Sequence, residues 1–163
     1  MHHICKTTVL PYSAAQIFAL IEDIRTYPQF LPWCGRTRII QAKDEEVVAE
    51  ITISHGAFGK SFTTRNRYQR PKLAEMRLVN GPFRFLEGLW QLEPDARGTK
   101  VTLDMRFEFA SRLMGAFLEP IFKHAAETMV QRFAQRARVV YGQPDVLEVQ
   151  KPDGGAPSGQ AKR

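Results

Sequence analysis

The chain has 163 residues, of which 44% are hydrophobic and 25% are charged, a balance that suits one globular domain and excludes a chain disordered throughout. Its net charge of +6 favours anionic partners such as RNA or acidic lipid headgroups, although many basic proteins bind neither. No apolar run reaches the length of a membrane span, and the first residues lack the pattern of a secretory signal. Two distant cysteines, Cys5 and Cys34, predict reduced thiols rather than a disulfide framework. We therefore expect a cytoplasmic protein, either free or peripheral on the inner face of the membrane.

The N-terminal third predicts a strand, a helix and an unusual connecting segment. Residues Ile4 to Leu10 are rich in Thr and β-branched side chains and end at a proline, as strands often do. Ser13 can cap a helix whose apolar side includes Ile17 and Ile21. Residues 27–33, the proline-aromatic segment, combine two prolines with Tyr, Phe, Leu and Trp, so we expect burial rather than a solvated loop.

The middle of the chain alternates between apolar and polar residues. The alternating segments are residues 46–54, 58–68, 74–78, 86–92 and 100–109. Turn signals such as His55-Gly56 and Asn80-Gly81-Pro82 separate them, and no helical pattern intervenes. This pattern predicts an antiparallel sheet with one apolar face and one solvated face.

A long amphipathic helix is predicted from Ser111 to Tyr141, with Ser111 as its N-cap and Gly142 as its stop. Pro120 should kink this helix or split off a short first segment. The predicted buried stripe has two rows, Leu113, Phe117, Ile121, Ala125, Met129, Phe133 and Ala137, and Met114, Leu118, Phe122 and Val130.

The end of the chain, residues 143–163, is rich in Pro, Gly and Ser and is predicted to be disordered. Residues 1–142 then form one ligand-binding domain of the α+β class. In it a curved antiparallel β-sheet wraps around the long C-terminal helix, and incomplete filling between the two layers leaves an apolar cavity.

Three local motifs resemble those of a known family. They are Tyr27-Pro28-Gln29-Phe30-Leu31-Pro32-Trp33-Cys34, Gly81-Pro82-Phe83 with Leu86-Glu87-Gly88-Leu89-Trp90, and Met129-Val130-Gln131-Arg132-Phe133 with Arg136-Ala137 and Tyr141-Gly142. They are similar to the coenzyme Q-binding and RatA-type branch of the START-like proteins (SRPBCC, polyketide cyclase/dehydrase-like). The resemblance implies the helix-grip fold, with two short helices after the first strand, and a non-enzymatic protein with an apolar cavity.

The predicted cavity face carries few polar groups, which is usual for a small-molecule site. Asn66 and Tyr68 could donate hydrogen bonds to the carbonyl oxygens of a quinone, or the polar groups could satisfy one another. We expect the proline-aromatic segment to act as a gate near Met114 and Phe117. The predicted ligand-binding residues are Phe30, Leu31, Trp33, Phe58, Phe62, Thr64, Asn66, Tyr68, Trp90, Met105, Met114, Phe117, Ile121 and Met129.

No catalytic set and no metal site is expected. The sequence has no Gly-rich phosphate loop, no His-Glu-x-x-His and no Cys-x-x-Cys. His2 and His3 are expected at a mobile end, and His55 and His124 are expected to be exposed or satisfied rather than ligands. For Cys34 a buried thiol is favoured over a nucleophile, because no base is evident nearby.

Three functions remain open at this stage. The first, implied by the coenzyme Q-binding resemblance, is binding of ubiquinone or a related isoprenoid lipid, in support of respiratory electron transport or quinone biosynthesis. The second, implied by the RatA-type resemblance, is a toxin that binds the large ribosomal subunit and blocks subunit association, with Arg36, Arg38, Arg65 and Arg67 as candidate contacts to RNA. The third is a cyclase- or aromatase-like enzyme, which the lack of an acid/base pair disfavours. DNA is not expected as a partner.

Overall fold

The computed structural model describes residues 1–143, so the predicted disorder of the tail lies outside the described residues, apart from Gln143. The elements follow one another along the chain with short connections. They are β1 (His2–Leu10), α1 (Ala14–Glu22), a 3-10 helix (Ile24–Gln29), β2 (Cys34–Ala42), β3 (Glu46–His55), β4 (Phe58–Gln69), β5 (Leu73–Asn80), β6 (Phe83–Asp95), β7 (Gly98–Phe109) and α2 (Arg112–Tyr141).

All seven strands form one curved antiparallel sheet in the order β1-β7-β6-β5-β4-β3-β2. Strands β2 to β7 pair with their neighbours in sequence, as the hairpin turns predict. The two short helices connect β1 and β2, which lie at opposite edges of the sheet. The predicted α+β helix-grip fold is confirmed. Within residues 1–143, no helix is both long and apolar enough to span a membrane.

Two features of the sheet edges differ from expectation. Alternation did not reveal β2, because an edge strand is only half covered and Ile40 points out with 46% of its surface exposed. The prediction of a mobile N-terminus is also wrong, because β1 already begins at His2. There the ring of His2 stacks on Phe107 with centroids 4.9 Å apart, and His3 Nε2 lies 2.7 Å from Asp104 Oδ1.

Helix α1 begins where Ser13 predicts. The Ser13 hydroxyl accepts from the Gln16 amide at 3.1 Å, and the Gln16 side chain accepts from the Ser13 amide at 2.9 Å, forming a capping box. Ile17, Phe18 and Ile21 are buried against the rest of the core. This packing brings the start of α1 close to the end of α2.

Helix α2 is continuous for 30 residues, roughly 45 Å, and Pro120 does not split it. Ser111 caps it by accepting from the Met114 amide at 3.2 Å. The predicted first row is only partly buried, because Leu113 is 74% exposed and Phe117 54% exposed. A fixed spacing of four drifts about 40° around the helix at each step. The buried residues of α2 are spaced by one, three or four positions and come from both predicted rows, apart from Ala126: Leu118, Phe122, Ala125, Ala126, Val130, Phe133 and Ala137.

The space between sheet and helix is filled largely by aromatic rings around Phe122. Its ring centroid lies 4.8 Å to 6.3 Å from four others. These partners are Phe62, Phe83, Phe107 and Phe109. Edge-to-face packing of this kind stabilises a core beyond the burial of area alone, and it leaves little empty volume there.

Candidate ligand-binding site

An interior cavity lies between the sheet and α2, where the sequence predicts one. Seven predicted site residues line it: Trp33, Phe62, Asn66, Tyr68, Trp90, Met105 and Met129. The prediction missed the rest of the lining, which is also mostly apolar: Ile21, Tyr27, Ile51, Ala74, Glu75, Met76, Leu86, Phe122, Ala125, Ala126 and Phe133. Most of these are inward residues of strands or the buried face of α2, so periodicity marks them as core without separating cavity wall from filled core.

The cavity is small, with a volume of about 50 Å³. A pocket for a drug-sized ligand usually measures roughly 300–1,000 Å³. A single water needs roughly 10–15 Å³ by this kind of measure, so the cavity has room for only a few waters. A quinone ring therefore needs the walls to move before it can enter.

The polar groups of the cavity are only partly satisfied. Thr64 is fully buried, and its hydroxyl donates to Asn66 Oδ1 at 2.9 Å. Tyr68 is 4% exposed, and its hydroxyl lies near the Asn66 side chain but forms no hydrogen bond of good geometry within the described chain. Burial raises the pKa of this hydroxyl, an effect that the nearby Asn66 side chain and the Arg70 guanidinium oppose only in part. A buried hydroxyl without a partner is costly and is a natural place for a ligand acceptor.

A second and larger space, the α2 groove, opens on the other side of Trp33. Its volume is about 530 Å³, and it runs between the end of the proline-aromatic segment, the end of β3 and one side of α2. Three predicted site residues, Trp33, Phe117 and Ile121, line it. The prediction missed the remaining lining residues: Pro32, Ser54, His55, Pro120, His124, Thr128 and Arg132. The sequence did carry one signal for the α2 side of this groove, because residues spaced by three or four share one face of a helix. These residues are Phe117, Ile121, His124, Thr128 and Arg132.

Two contacts fix the walls of the α2 groove. The Ser54 amide donates to the Trp33 carbonyl at 2.8 Å, which ties the proline-aromatic segment to β3. The ring of Phe58 stacks on Phe117 with centroids 4.5 Å apart, which ties the β3–β4 hairpin to α2. Trp33 is the shared wall of groove and interior cavity, and its indole nitrogen is buried without a partner within residues 1–143.

Five predicted site residues line neither space: Phe30, Leu31, Phe58, Thr64 and Met114. Leu31 is 1% exposed and is part of the core. Phe30 packs on Phe133 and Arg136, in the C-terminal half of α2, rather than near Met114 and Phe117. That these residues contact a ligand stays a prediction.

Positive charge is distributed unevenly over the surface. On the sheet, Arg38 is paired with Glu50, while Arg65 and Arg67 both pair with Glu46. These pairs therefore involve three of the four arginines that the sequence suggests as candidate contacts to RNA. Five basic residues of α2 have no carboxylate partner within residues 1–143: Arg112, Lys123, Arg132, Arg136 and Arg138. The same holds on the sheet for residues of four different strands: Lys6, Arg36, Lys60 and Arg106.

The thiol of Cys34 is buried at the start of β2, as predicted. Burial raises its pKa to about 11, although a weak contact from its sulfur to the Arg36 carbonyl opposes the shift. Such a thiol is protonated near neutrality and is a poor nucleophile. In the described part of the chain no group of three His, Cys, Asp or Glu side chains could hold a metal ion.

Known proteins share both the sequence and this geometry. Residues 10–134 match the family described as polyketide cyclase / dehydrase and lipid transport. The ribosome association toxin RatA of Pseudomonas aeruginosa is 41% identical over 86% of this chain and 98% of its own length. The chain belongs to this family and to its RatA-type branch. A coenzyme Q-binding protein COQ10 homolog B of Xenopus laevis is 27% identical over 86% of this chain, which spans 60% of that protein.

Solved structures share the fold. An 18 kDa protein from Caulobacter crescentus is 30% identical and superposes with a TM-score of 0.69 over 88% of this chain and all of its own. A Streptomyces aromatase/cyclase superposes with a TM-score of 0.68 over 85% of this chain and 95% of its own, at 14% identity. The second similarity extends to the fold alone, so it assigns no cyclase chemistry to this chain.

Proposed function

We propose that the chain is a non-enzymatic binding protein that associates with the large ribosomal subunit and blocks subunit association. The observation that carries this proposal is the unpaired positive charge along α2. The choice of the ribosome as partner rests on relatives that are named as ribosome association toxins and are similar to this chain over nearly their whole length. A ribosomal partner implies that the protein acts in the cytoplasm.

The ion pairs of the sheet arginines Arg38, Arg65 and Arg67 support α2 as the surface that faces RNA. An arginine already paired with a carboxylate gains less from a phosphate, because the carboxylate must be displaced or its repulsion tolerated. Lys123 and Arg138 are exposed and free of such partners within residues 1–143. Each phosphate contact made by such a cation releases counterions, so affinity should fall as salt rises.

Co-sedimentation with purified large ribosomal subunits tests the proposal. The double variant Lys123→Gln/Arg138→Gln should bind at least ten times more weakly than the parent, and its slope of log affinity against log salt should fall by about 1.5, at roughly 0.7–0.9 per lost contact. The matched control, Arg65→Gln/Arg67→Gln, removes the same charge from the sheet and should bind within about threefold of the parent. Absence of co-sedimentation, or a larger loss in the control, would refute the proposal.

Quinone binding is a second candidate, favoured by one specific observation. The Tyr68 hydroxyl and the Trp33 indole N–H are two donors that lack partners within the described residues, and both side chains line the interior cavity. A quinone offers two carbonyl oxygens that only accept hydrogen bonds. The relative named as a coenzyme Q-binding protein agrees with this chemistry. Ubiquinone or a similar lipid would be a ligand here and not a catalytic cofactor.

Mass spectrometry of an organic extract of the purified protein tests this candidate directly. In addition, decylubiquinone should bind saturably, and Tyr68→Phe should weaken it by about fivefold to tenfold through loss of one hydrogen bond. An empty extract together with no saturable binding would remove the quinone hypothesis and leave the ribosomal one intact. We place the aromatase/cyclase activity of structural neighbours last, because among residues 1–143 the cavity lining has one carboxylate, Glu75, and no histidine, lysine or arginine to pair with it.

A further inference from the structure

We infer that the α2 groove is a second ligand site, separate from the interior cavity, for an acyl chain that ends in a carboxylate. Its volume of about 530 Å³ lies within the usual range for small-molecule pockets, roughly 300–1,000 Å³. The interior cavity has about a tenth of that volume. The inference does not require either proposed function, although Arg132 is also one of the unpaired cations of α2 that support the ribosomal proposal.

The chemistry of the groove changes along α2. Its N-terminal part is apolar and is formed by Phe117, Pro120 and Ile121, opposite Trp33. Phe117 keeps 54% of its surface exposed although its ring stacks on Phe58. An exposed apolar surface inside a groove indicates a site for an apolar ligand group.

The C-terminal part of the groove is polar and cationic. Arg132 lines it, and within residues 1–143 its guanidinium forms no ion pair. The Thr128 hydroxyl is already used, because it donates to the His124 carbonyl at 2.9 Å. No lining residue is acidic. A guanidinium presents paired N–H donors that match a carboxylate, so Arg132 is the group that would fix the head of the ligand.

The two ends are separated by a distance that suits a linear amphiphile. From Ile121, the last apolar residue of the groove, to Arg132 is eleven helical steps, about 16 Å along α2, and the arginine side chain, which leans toward the N-terminus of the helix, covers part of this distance. An extended acyl chain would lie along the apolar part with its carboxylate at Arg132. A neutral quinone does not explain an unpaired cation at one end, and a free phosphate does not explain the apolar surface at the other.

Calorimetric titration with sodium decanoate, hexanoate and 1-decanol tests the assignment. We expect saturable decanoate binding, at least tenfold weaker hexanoate binding, and at least a tenfold loss of decanoate affinity in Arg132→Gln. Lys123→Gln removes the same charge from an exposed position outside the groove and should change the affinity less than twofold. Decanol affinity should be the same in the parent and in Arg132→Gln.

The position of the ligand is read from the two indole N–H resonances of the unmodified protein. Decanoate should shift the Trp33 signal, and the Trp90 signal, which belongs to the interior cavity alone, should stay in place. No saturable binding, equal losses in Arg132→Gln and Lys123→Gln, or a shift at Trp90 larger than at Trp33 would each overturn the inference. Decylubiquinone binding that survives Arg132→Gln would leave the quinone candidate standing whatever decanoate does.

Discussion

The ring of Phe30 meets the ring of Phe133 edge to face, with the two centroids 5.0 Å apart. Tyr27 contacts both rings, and the Arg136 guanidinium lies 5.2 Å above the Phe30 centroid. Phe133 is 1% exposed, so this cluster continues directly into the core. The proline-aromatic segment is therefore anchored to the C-terminal half of α2. Of its residues, Tyr27 and Trp33 line the interior cavity, and Pro32 and Trp33 line the α2 groove.

Replacing Phe30 tests whether this anchor stabilises the fold. Phe30→Ala should lower the free energy of unfolding by about 2–3 kcal/mol, somewhat less than for a fully buried ring, through lost aromatic and cation–π contacts. Leu113→Ala is the matched control and should cost at most about 0.5 kcal/mol, because its side chain is 74% exposed. Urea denaturation measures both. A loss below about 1 kcal/mol for Phe30→Ala would leave the segment free to act as the predicted gate.

The half-buried Tyr27 and the buried Tyr68 should respond differently to removal of their hydroxyls. The Tyr27 hydroxyl donates to the Ile21 carbonyl, and Tyr27→Phe leaves that carbonyl without its donor, at a cost of about 1–2 kcal/mol. The Tyr68 hydroxyl has no partner within the described residues, so Tyr68→Phe should be neutral or slightly stabilising. Thermal denaturation without ligand compares them. Destabilisation by Tyr68→Phe equal to that of Tyr27→Phe would show that the Tyr68 hydroxyl is satisfied.

The sequence predicts the fold further than it predicts the site, for physical reasons. Alternation along β3 to β7 and the capping residues Ser13 and Ser111 are local signals, and each corresponds to an observed element. Edge strand β2 is half solvated, which weakens its alternation. The size of a cavity depends on how facing side chains interlock, and that information is distributed over the whole core.

The residues of the α2 groove could also be predicted only in part from the sequence. Its polar residues, including His55 and Arg132, come from separate elements and were each unremarkable in the sequence. Trp33 and Phe117 were predicted as ligand contacts because they are large and apolar, and the structure places both in the groove. Residue type thus predicted the apolar part of the groove, whereas the cationic part required the fold.

The two cysteines should react at very different rates. Cys5 is exposed, whereas Cys34 is 3% exposed and burial raises its pKa to about 11. We expect one thiol per chain to react rapidly with a disulfide reagent at pH 8, and two after denaturation. Cys5→Ala should abolish the rapid reaction. Rapid reaction of both thiols in the native protein would contradict the buried position of Cys34.

The same thiol should make the protein less stable in alkali. Its pKa rises from 9.0 when unfolded to about 11 when folded, so above pH 9 the unfolded state loses its proton first. The contribution of this thiol to the free energy of unfolding is therefore fully present below pH 9, and the free energy of unfolding falls by at most about 2 kcal/mol between pH 9 and 11. Cys34→Ala should flatten this decline, measured by urea denaturation at several pH values, and Cys5→Ala should not. The raised pKa of the buried Tyr27 hydroxyl acts in the same direction above pH 10 and should persist in both variants.

The last turn of α2 is held to the start of α1 by two hydrogen bonds. The Tyr141 hydroxyl donates to the Gln16 carbonyl at 2.8 Å, and the Tyr12 hydroxyl donates to the Gly142 carbonyl at 2.9 Å. A chain that ends at Gln143 keeps both bonds intact. From the composition of residues 144–163, we expect this truncation to change the melting temperature by less than about 2 °C.

Tyr141→Phe provides the comparison, because it removes one of these bonds without shortening the chain. It should cost about 1 kcal/mol, or roughly 2–4 °C for a protein of this size. Calorimetric scans at equal concentration compare the melting temperatures of the truncated protein, the Tyr141→Phe variant and the parent. If truncation lowers the melting temperature by more than Tyr141→Phe does, residues 144–163 stabilise the domain and the boundary at 142 is wrong.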